Sequence, residues 1–294
     1  MAKWQHIPIL AQTIKELLIT DKEGLYIDGT LGLGGHTKIL LSALGPNAKI
    51  FGFDKDANAI LMAKENVADD RLETFNLSYI ECVKVLAEKN IKGVNGALFD
   101  FGLSSYQLDD ASRGFSFNNQ GPLDMRFDTK QTLSAREIVN TWPADKIEKI
   151  LVDYGEEKFA SKIARAIVLA ARETPIETTW QLAKIIESVC PRTSKTHPAT
   201  RTFQALRIAV NDELGAIETA AKLLKQILLP SGRAAFLTFH SLEDRIIKQA
   251  LKDLCQDKDS WRLVNKKVIE PSWQEIQQNS RARSAKLRVI ERLK

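Results

Sequence analysis

Short apolar runs that each end on an aspartate alternate with helix-like segments over about the first hundred residues. The runs cover residues 25–28, 49–54 and 96–100, and helices are predicted between them over residues 37–44 and 57–67. This alternation is the pattern of βαβ units around a parallel sheet. Ligands bind such sheets at the carboxyl ends of the strands, where Asp28, Asp54 and Asp100 fall.

The periodicity changes after about Tyr106. Residues 107–130 predict a long loop rich in Gly, Asp and Arg, and residues 134–189 follow a helical period. One further helix is predicted to start near Ala199 and to carry a single apolar face as far as Leu224. Strand-like sequence returns at residues 234–239, after a Pro-Ser-Gly turn signal, and at residues 287–290. These observations predict an α/β domain of residues 1–106 and 211–294, interrupted by a mainly helical insertion of residues 107–210.

A glycine-rich segment, DGTLGLGGH at residues 28–36, follows the first strand and opens a helix. Glycine lets the backbone approach a ligand closely, and Asp54 ends the next strand, where an acid can accept hydrogen bonds from both ribose hydroxyls of an adenosine. Thr37 replaces the third glycine of a dinucleotide fingerprint, and no G-K-[ST] follows. The motif therefore favours a methyltransferase over a nicotinamide-dependent dehydrogenase; a tight turn without a ligand is the third interpretation.

Two acidic features allow more than one interpretation. Asp100 would place a carboxylate beside the cofactor, where it suits a cationic sulfonium, but an aspartate at this position could equally cap a helix. His240 with Glu243 and Asp244 resembles a catalytic or metal cluster, yet a turn held by hydrogen bonds explains the spacing about as well. Because no second histidine is near, we predict that no metal is required.

Composition adds limits on class and location. The 294 residues carry a mild net charge of +5, and the three cysteines form no CxxC pair, which fits a reducing compartment and argues against a zinc site. The amino terminus has no signal-peptide pattern, and the longest apolar run, residues 166–171, is too short to span a bilayer. We therefore expect a cytoplasmic protein with no membrane partner.

Nine motifs, in order along the chain, resemble one family closely. They are HIPIL at 6–10, DGT and GGH at 28–30 and 34–36, RGFSF at 113–117, GPLDMR at 121–126, YGEE at 154–157, HPATRTFQALR at 197–207, FHSLEDR at 239–245 and RARS at 281–284. Together they resemble the bacterial small-subunit ribosomal RNA cytosine-N4 methyltransferases, the MraW family. The resemblance runs from about His6 to Glu291.

The resemblance implies a class I (Rossmann-like) methyltransferase sheet with an inserted helical domain for substrate recognition. It implies methyl transfer from S-adenosyl-L-methionine to the exocyclic N4 of one cytidine in the decoding (P-site) region of 16S ribosomal RNA, within the small ribosomal subunit. It also implies cofactor contacts at Gly34, Gly35, His36, Asp54, Tyr79, Asp100 and Gln107. Tyr79 stands where the family usually has a phenylalanine against the adenine.

The catalytic and RNA-binding residues are hypotheses at this point. Many amino-methyltransferases carry an Asp/Asn-Pro-Pro-aromatic motif after the fourth strand, whereas this chain has DFGL at residues 100–103. We expect Asp100 or a nearby carbonyl to polarise the amino group, and Ser104 and Ser105 to shape the pocket.

Basic side chains taken alone indicate no more than solvated surface. With the resemblance, phosphate contacts are expected at Arg192, Lys195, Arg201, Arg207, Arg281 and Arg283. An RNA-binding protein without catalysis is the remaining rival. The sequence leaves a homodimer open.

Overall fold

The structure of the chain, a computed structural model, describes residues 8–190 and 197–294. It divides into two compact units. Unit 1 is built from the chain up to Gly102 and from Leu214 onward, and unit 2 is Leu103–Glu213. The recognition role that the sequence assigns to the insertion, residues 107–210, stays a prediction.

Unit 1 contains a seven-stranded sheet in the order β3-β2-β1-β4-β5-β7-β6. Its strands are β1 Leu25–Asp28, β2 Lys49–Phe53, β3 Leu72–Phe75, β4 Val94–Asp100, β5 Leu228–Thr238, β6 Trp261–Leu263 and β7 Lys286–Arg292. Strands β1 to β5 run parallel, and β7 is antiparallel to both of its neighbours. The strand order reverses between β1 and β4, which makes the carboxyl ends of these strands the expected ligand site. This topology confirms the predicted class I methyltransferase fold.

Helices flank the sheet and make up most of unit 2. They are α1 Ala11–Leu18, α2 Gly35–Leu41, α3 Ala57–Val67, α4 Cys82–Glu88, α5 Ser105–Asp109, α6 Ala135–Thr141, α7 Ala144–Gly155, α8 Ala160–Glu173, α9 Thr179–Val189, α10 Ala199–Asn211, α11 Glu213–Ile227, α12 Ser241–Leu254 and α13 Trp273–Gln278. None of the helices in the described ranges is both long and apolar enough to cross a membrane.

The central strands are buried on both faces, which explains their nearly continuous apolar sequence. Successive residues of β4 point to opposite faces: Phe99 lies in one apolar cluster, and Leu98 lies in the cluster on the other face. The Phe99 ring stacks on Phe236 of β5 at 5.2 Å between centroids. A closely packed sheet centre therefore supports the strand ends that carry the candidate site.

Unit 2 has its own apolar core, formed by the inward faces of its helices. Ile147 and Leu151 of α7, Ile163 and Ile167 of α8, Leu182 and Ile186 of α9, and Phe203 and Leu206 of α10 all belong to this one buried cluster. Their spacing of three and four residues is that of amphipathic helices. The helical period predicted for residues 134–189 is confirmed.

The single long helix predicted from Ala199 to Leu224 is wrong. The chain breaks at Asp212, which has a left-handed φ of 48° and separates α10 from α11. The amide of Asn211 accepts a hydrogen bond from the Phe127 backbone N–H at 2.7 Å and donates one to the Met125 carbonyl at 2.8 Å. These long-range bonds fix the break, and the apolar period, which continues across it, does not reveal them.

Candidate functional site

The glycine-rich turn between β1 and α2 is anchored by a buried carboxylate. Asp28 is almost completely buried, and its side chain accepts hydrogen bonds from the Thr30 N–H at 3.2 Å and from the Thr37 hydroxyl at 2.7 Å. Burial raises the pKa of Asp28, and the bond from Thr37 opposes that increase. Thr37 therefore has a structural function where a dinucleotide fingerprint would have glycine. The sequence indicated only that this glycine is missing.

Two glycines of the turn are required by close packing. Gly34 has a φ of 78°, and a Cβ placed on it would lie 2.5 Å from a methyl group of Val67 in α3. A Cβ on Gly29 would lie 2.6 Å from the Phe99 ring. The backbone consequently passes directly over the strand ends, as expected of a turn that a ligand approaches closely.

Asp54 follows β2 and faces the same turn. One of its carboxylate oxygens accepts a hydrogen bond from the Gly32 N–H at 2.8 Å, and the other accepts one from the Asp56 N–H at 2.9 Å. Burial raises the pKa of Asp54 to about 6. Each carboxylate oxygen can accept a second hydrogen bond, so the group is suited to receive ribose hydroxyls.

Asp100 ends β4, and one of its carboxylate oxygens accepts no hydrogen bond from a described residue. Its backbone N–H donates to the Thr30 hydroxyl at 2.6 Å. His36 Nε2 lies 3.3 Å from Asp100 Oδ2 without the alignment of a hydrogen bond, and the buried Oδ1 bonds to no described residue. Leaving a buried carboxylate oxygen unsatisfied is costly, so a ligand that donates a hydrogen bond is the natural explanation.

The alternative role of Asp100 as a helix cap does not hold. The following helix, α5, begins at Ser105, and its cap is Ser104, whose hydroxyl accepts from the Gln107 N–H at 3.2 Å. The Gln107 side chain in turn accepts from the Ser104 N–H at 3.2 Å. Ser104 and Gln107, both in unit 2, therefore cap this helix. The catalytic role of Ser104 and Ser105 and the cofactor contact of Gln107 stay predictions.

Tyr79 lies in unit 1 at the start of a 3₁₀ turn, Tyr79–Glu81, and its ring is mostly buried. The ring centroid is 5.4 Å from that of Phe99 and 6.1 Å from that of Phe101. These contacts hold Tyr79 in the aromatic cluster beneath the strand ends. Its contact with an adenine stays a prediction.

The predicted RNA-binding residues differ in their surroundings. Arg192 and Lys195 lie outside the described residues. Arg201 donates to the Glu156 carbonyl at 2.8 Å, and Arg207 forms two hydrogen bonds, of 2.8 and 2.9 Å, with the buried carboxylate of Glu213. Arg281 and Arg283 are exposed in the 3₁₀ turn Ser280–Ser284 of unit 1. Phosphate contact stays a prediction for all of these residues.

The acidic cluster around His240 is built as a helix cap. His240 Nδ1 accepts from the Glu243 N–H at 3.4 Å, and the fully buried Glu243 carboxylate accepts from the N–H groups of Phe239 and His240 at 2.6 and 3.2 Å. Asp244 binds Arg288 through two hydrogen bonds, of 2.8 and 3.1 Å. Within residues 8–190 and 197–294, no three His, Cys, Asp or Glu side chains converge as a metal site would require.

Comparison with known proteins gives one consistent family. The chain matches the MraW methylase family over residues 3–293. A ribosomal RNA small subunit methyltransferase H from Elusimicrobium minutum is 56% identical to it over 294 residues, all of both chains. Proteins of the same name from Halothermothrix orenii and from a Wolbachia strain of Drosophila simulans are 39% and 43% identical. Each of these two alignments covers 98% of this chain and 99% of the relative.

Solved structures show only a distant likeness. An rRNA methylase from Streptococcus thermophilus aligns over 97% of this chain and 94% of its own, with a TM-score of 0.40 and 13% identity. A SAM-dependent O-methyltransferase from Thermotoga maritima aligns over 97% of this chain and 64% of its own, with a TM-score of 0.43 and 10% identity.

Proposed function

This chain belongs to the MraW methylase family, and we propose that it methylates the exocyclic N4 of one cytidine in 16S ribosomal RNA. The methyl donor is S-adenosyl-L-methionine. The proposal places the cytidine in the decoding (P-site) region of the small ribosomal subunit, and the enzyme in the cytoplasm. It is supported by full-length relatives named as small-subunit rRNA methyltransferases and, within the site, by the buried, unbonded Oδ1 of Asp100. The proposal needs no metal ion and applies equally to a monomer or a homodimer.

The residues at the strand ends fit this donor. Gly34 and Gly35 bring the backbone of the turn close to a ligand, and Asp54 offers its carboxylate to ribose hydroxyls. Asp100 provides a negative group and His36 a polar one beside the place where a cationic sulfonium would lie. When bound, S-adenosyl-L-methionine supplies an electrophilic methyl group. The predicted contacts of Tyr79 and Gln107 belong to the same proposal.

Asp100 carries the catalytic part of the proposal. The N4 lone pair of cytosine is delocalised into the ring, so the amine is a weak nucleophile. If Asp100 Oδ1 accepts a hydrogen bond from an amino proton, electron density at N4 increases and the amine is held in one orientation. The Thr30 hydroxyl fixes the Asp100 backbone. Placing reacting groups in line can contribute on the order of 7–11 kcal/mol to lowering the barrier.

RNA recognition is assigned to exposed basic residues and to unit 2. A base inside a helix must leave its stack to be modified, at a cost of a few kcal/mol that contacts to the surrounding RNA must offset. Arg281 and Arg283 are exposed residues, and we assign them to phosphate contacts. We assign the helical unit, Leu103–Glu213, to holding the RNA, with Ser104 and Ser105 shaping the base pocket.

The deciding experiment is transfer of labelled methyl to small ribosomal subunits purified from cells that lack this protein, followed by mass spectrometry of the nucleosides. N4-methylcytidine at one decoding-region site is the expected product. Label on another base would keep the methyltransferase but overturn the assignment of the atom. Tight binding of S-adenosylhomocysteine without any transfer would favour an RNA-binding protein that lacks catalysis. Thermal stabilisation by NAD instead of S-adenosylhomocysteine would favour an oxidoreductase.

A further inference from the structure

The carboxyl ends of β4 and β5 form one continuous edge in unit 1. Asp100 pairs with Leu237, and the Phe101 N–H donates to the Leu237 carbonyl at 3.0 Å. Beyond this pair, Gly102 faces Phe239, whose ring would lie 3.5 Å from a Cβ on Gly102. His240 follows at once, roughly 10 Å along the chain from Leu237. His240 therefore follows the strand that neighbours β4 and lies at the same edge of the sheet as Asp100, as the first residue before α12.

The His240 ring is held in one orientation with a donor left over. Nδ1 accepts the Glu243 N–H, so the neutral ring carries its proton on Nε2. Nε2 is buried and lies 3.0 Å from Glu243 Oε1, but the two are not aligned for a hydrogen bond, and Nε2 bonds to no described residue. The cap of α12 uses Nδ1, and the Glu243 carboxylate lies close to Nε2 without the alignment of a hydrogen bond, so the buried N–H group has no well-aligned acceptor among the described residues.

We propose that His240 Nε2–H donates a hydrogen bond to N3 of the target cytosine. This inference rests on the proposed function and adds a residue that determines base specificity. On the pairing edge of cytosine, the N4 amino group is a donor and the neighbouring N3 is an acceptor. Asp100 Oδ1 accepts from the first, and His240 Nε2–H donates to the second. Uracil presents an acceptor and a donor at the same two positions, so both contacts would oppose it.

The competing explanation is that His240 only caps α12. Two substitutions distinguish this capping role from hydrogen-bond donation to the base. In His240→Asn the side-chain oxygen still caps the helix, because asparagine is among the best capping residues, but nothing replaces Nε2. In His240→Gln the amide nitrogen reaches about as far as Nε2, while the short-range cap is lost. His240→Asn thus keeps the helix cap and loses the hydrogen-bond donor, whereas His240→Gln loses the cap and keeps a donor.

The test compares these variants with the wild-type enzyme on small subunits from cells lacking the protein. His240→Asn also removes Nε2 from beside the buried Glu243 carboxylate, so we expect a small fall in the unfolding temperature. S-adenosylhomocysteine affinity should be unchanged, but kcat/KM for methyl transfer should be lower by about 10- to 100-fold. His240→Gln should unfold at a lower temperature but keep more activity than His240→Ala. A His240→Asn enzyme within twofold of wild type would overturn the inference.

A change in the substrate tests the atom assigned. In subunits reconstituted with 3-deazacytidine at the target position, N3 is replaced by a C–H group. Wild-type activity should then fall by the same factor that His240→Asn loses on normal RNA, and the variant should lose nothing more. Two losses that multiply would refute the contact between His240 and N3. If the wild-type enzyme forms no N4-methylcytidine on normal subunits, the proposed function itself fails.

Discussion

Two polar regions of the molecule look equally functional in sequence. They differ in whether their buried polar atoms all form hydrogen bonds within the protein. In unit 2, the segment of residues 113–126 is a closed network. Arg113 is almost fully buried and donates to the Arg126 and Phe127 carbonyls at 2.9 and 3.2 Å. Arg126 binds both carboxylate oxygens of Asp124, and a Cβ on Gly114 would collide with the Pro122 carbonyl. Packing explains these residues without a ligand.

At the strand ends of unit 1, the polar network is incomplete. Asp100 Oδ1, His36 Nε2 and His240 Nε2 are all buried, and none of them forms a hydrogen bond with a described residue. Buried polar groups are normally satisfied, so exceptions gathered at one edge of a sheet indicate a bound ligand. A dense motif alone therefore does not locate chemistry. Buried side-chain atoms without a hydrogen bond also occur at Thr74 and, in unit 2, at Thr202, so it is the grouping of such atoms on ionisable side chains at the strand ends that indicates a site.

The largest effect on methyl transfer is expected from replacing the Asp100 carboxylate. Asp100→Asn keeps the shape of the side chain but replaces a charged acceptor with an amide, so we expect methyl transfer to fall by about 1000-fold or more. Single-turnover transfer to deficient small subunits measures it, and circular dichroism should show unchanged folding. Turnover within a few-fold of wild type, in this variant or in Asp100→Ala, would refute the catalytic role of Asp100.

Periodicity predicted the regular elements well where one pattern dominated. The predicted bounds of β1 and α3 match the structure, because an apolar run ends abruptly at Asp28 and a helical period starts beside the cap Asp56. The edge strands were not predicted. All four residues of β3 are half-buried and show no alternation, and β6 has only three residues. Such strands form because a neighbouring strand is available, which a local pattern does not record.

The candidate site was predictable only where it depends on the ends of strands. The topology of a parallel sheet brings Asp28, Asp54 and Asp100 together, and the sequence places each at the end of a strand. The roles of Thr30 and Thr37 were not predictable, because they depend on hydrogen bonds to Asp100 and Asp28 across gaps in sequence. Likewise, spacing alone did not decide between a cap and a ligand contact for Asp100 or His240.

The second largest effect concerns Asp54. We expect Asp54→Asn to weaken S-adenosylhomocysteine binding by about 10- to 100-fold at pH 8, because an ionised carboxylate accepts hydrogen bonds from ribose more strongly than an amide does. Calorimetric titration measures this affinity. Wild-type affinity should rise as pH increases through about 6, the pKa of Asp54, and the variant should lack that rise. Equal pH profiles for the two proteins would contradict the assignment.

The same carboxylate should make folding stability depend on pH. Its folded pKa of about 6 exceeds the ordinary 3.8, so between these values the folded protein holds a proton that the unfolded chain has lost. Stability from this group is therefore lost as pH rises from about 4 to about 6. Relative to wild type, Asp54→Asn should gain about 1–3 kcal/mol of unfolding free energy over this interval. Urea unfolding at pH 4, 5, 6 and 7 tests the sign.

In the closed network of unit 2, the expected loss is one of stability. Burial works to raise the pKa of Asp124, but the hydrogen bonds from Arg126 outweigh it and the pKa is lowered. Asp124→Asn should cost about 1–3 kcal/mol of unfolding free energy at pH 7. The difference should shrink below about pH 4, where the wild-type carboxylate also becomes protonated. Methyl transfer by the folded variant should stay within a few-fold of wild type. A loss as large as that of Asp100→Asn would erase the contrast between the two regions.

The smallest effect separates an exposed arginine of unit 1 from a paired one of unit 2. Arg283 is exposed, so Arg283→Ala should weaken RNA binding and reduce the slope of log affinity against log salt by about one. Arg207 is also predicted to contact phosphate, but it already pairs with the buried Glu213. Arg207→Ala should therefore change that slope by less than Arg283→Ala does, and it should destabilise the fold because a buried carboxylate loses its partner. Filter binding to 16S ribosomal RNA at several salt concentrations measures both slopes. If the slope changed for Arg207→Ala and not for Arg283→Ala, the phosphate contacts would lie on the paired residue, and exposure would be a poor guide to RNA binding in this protein.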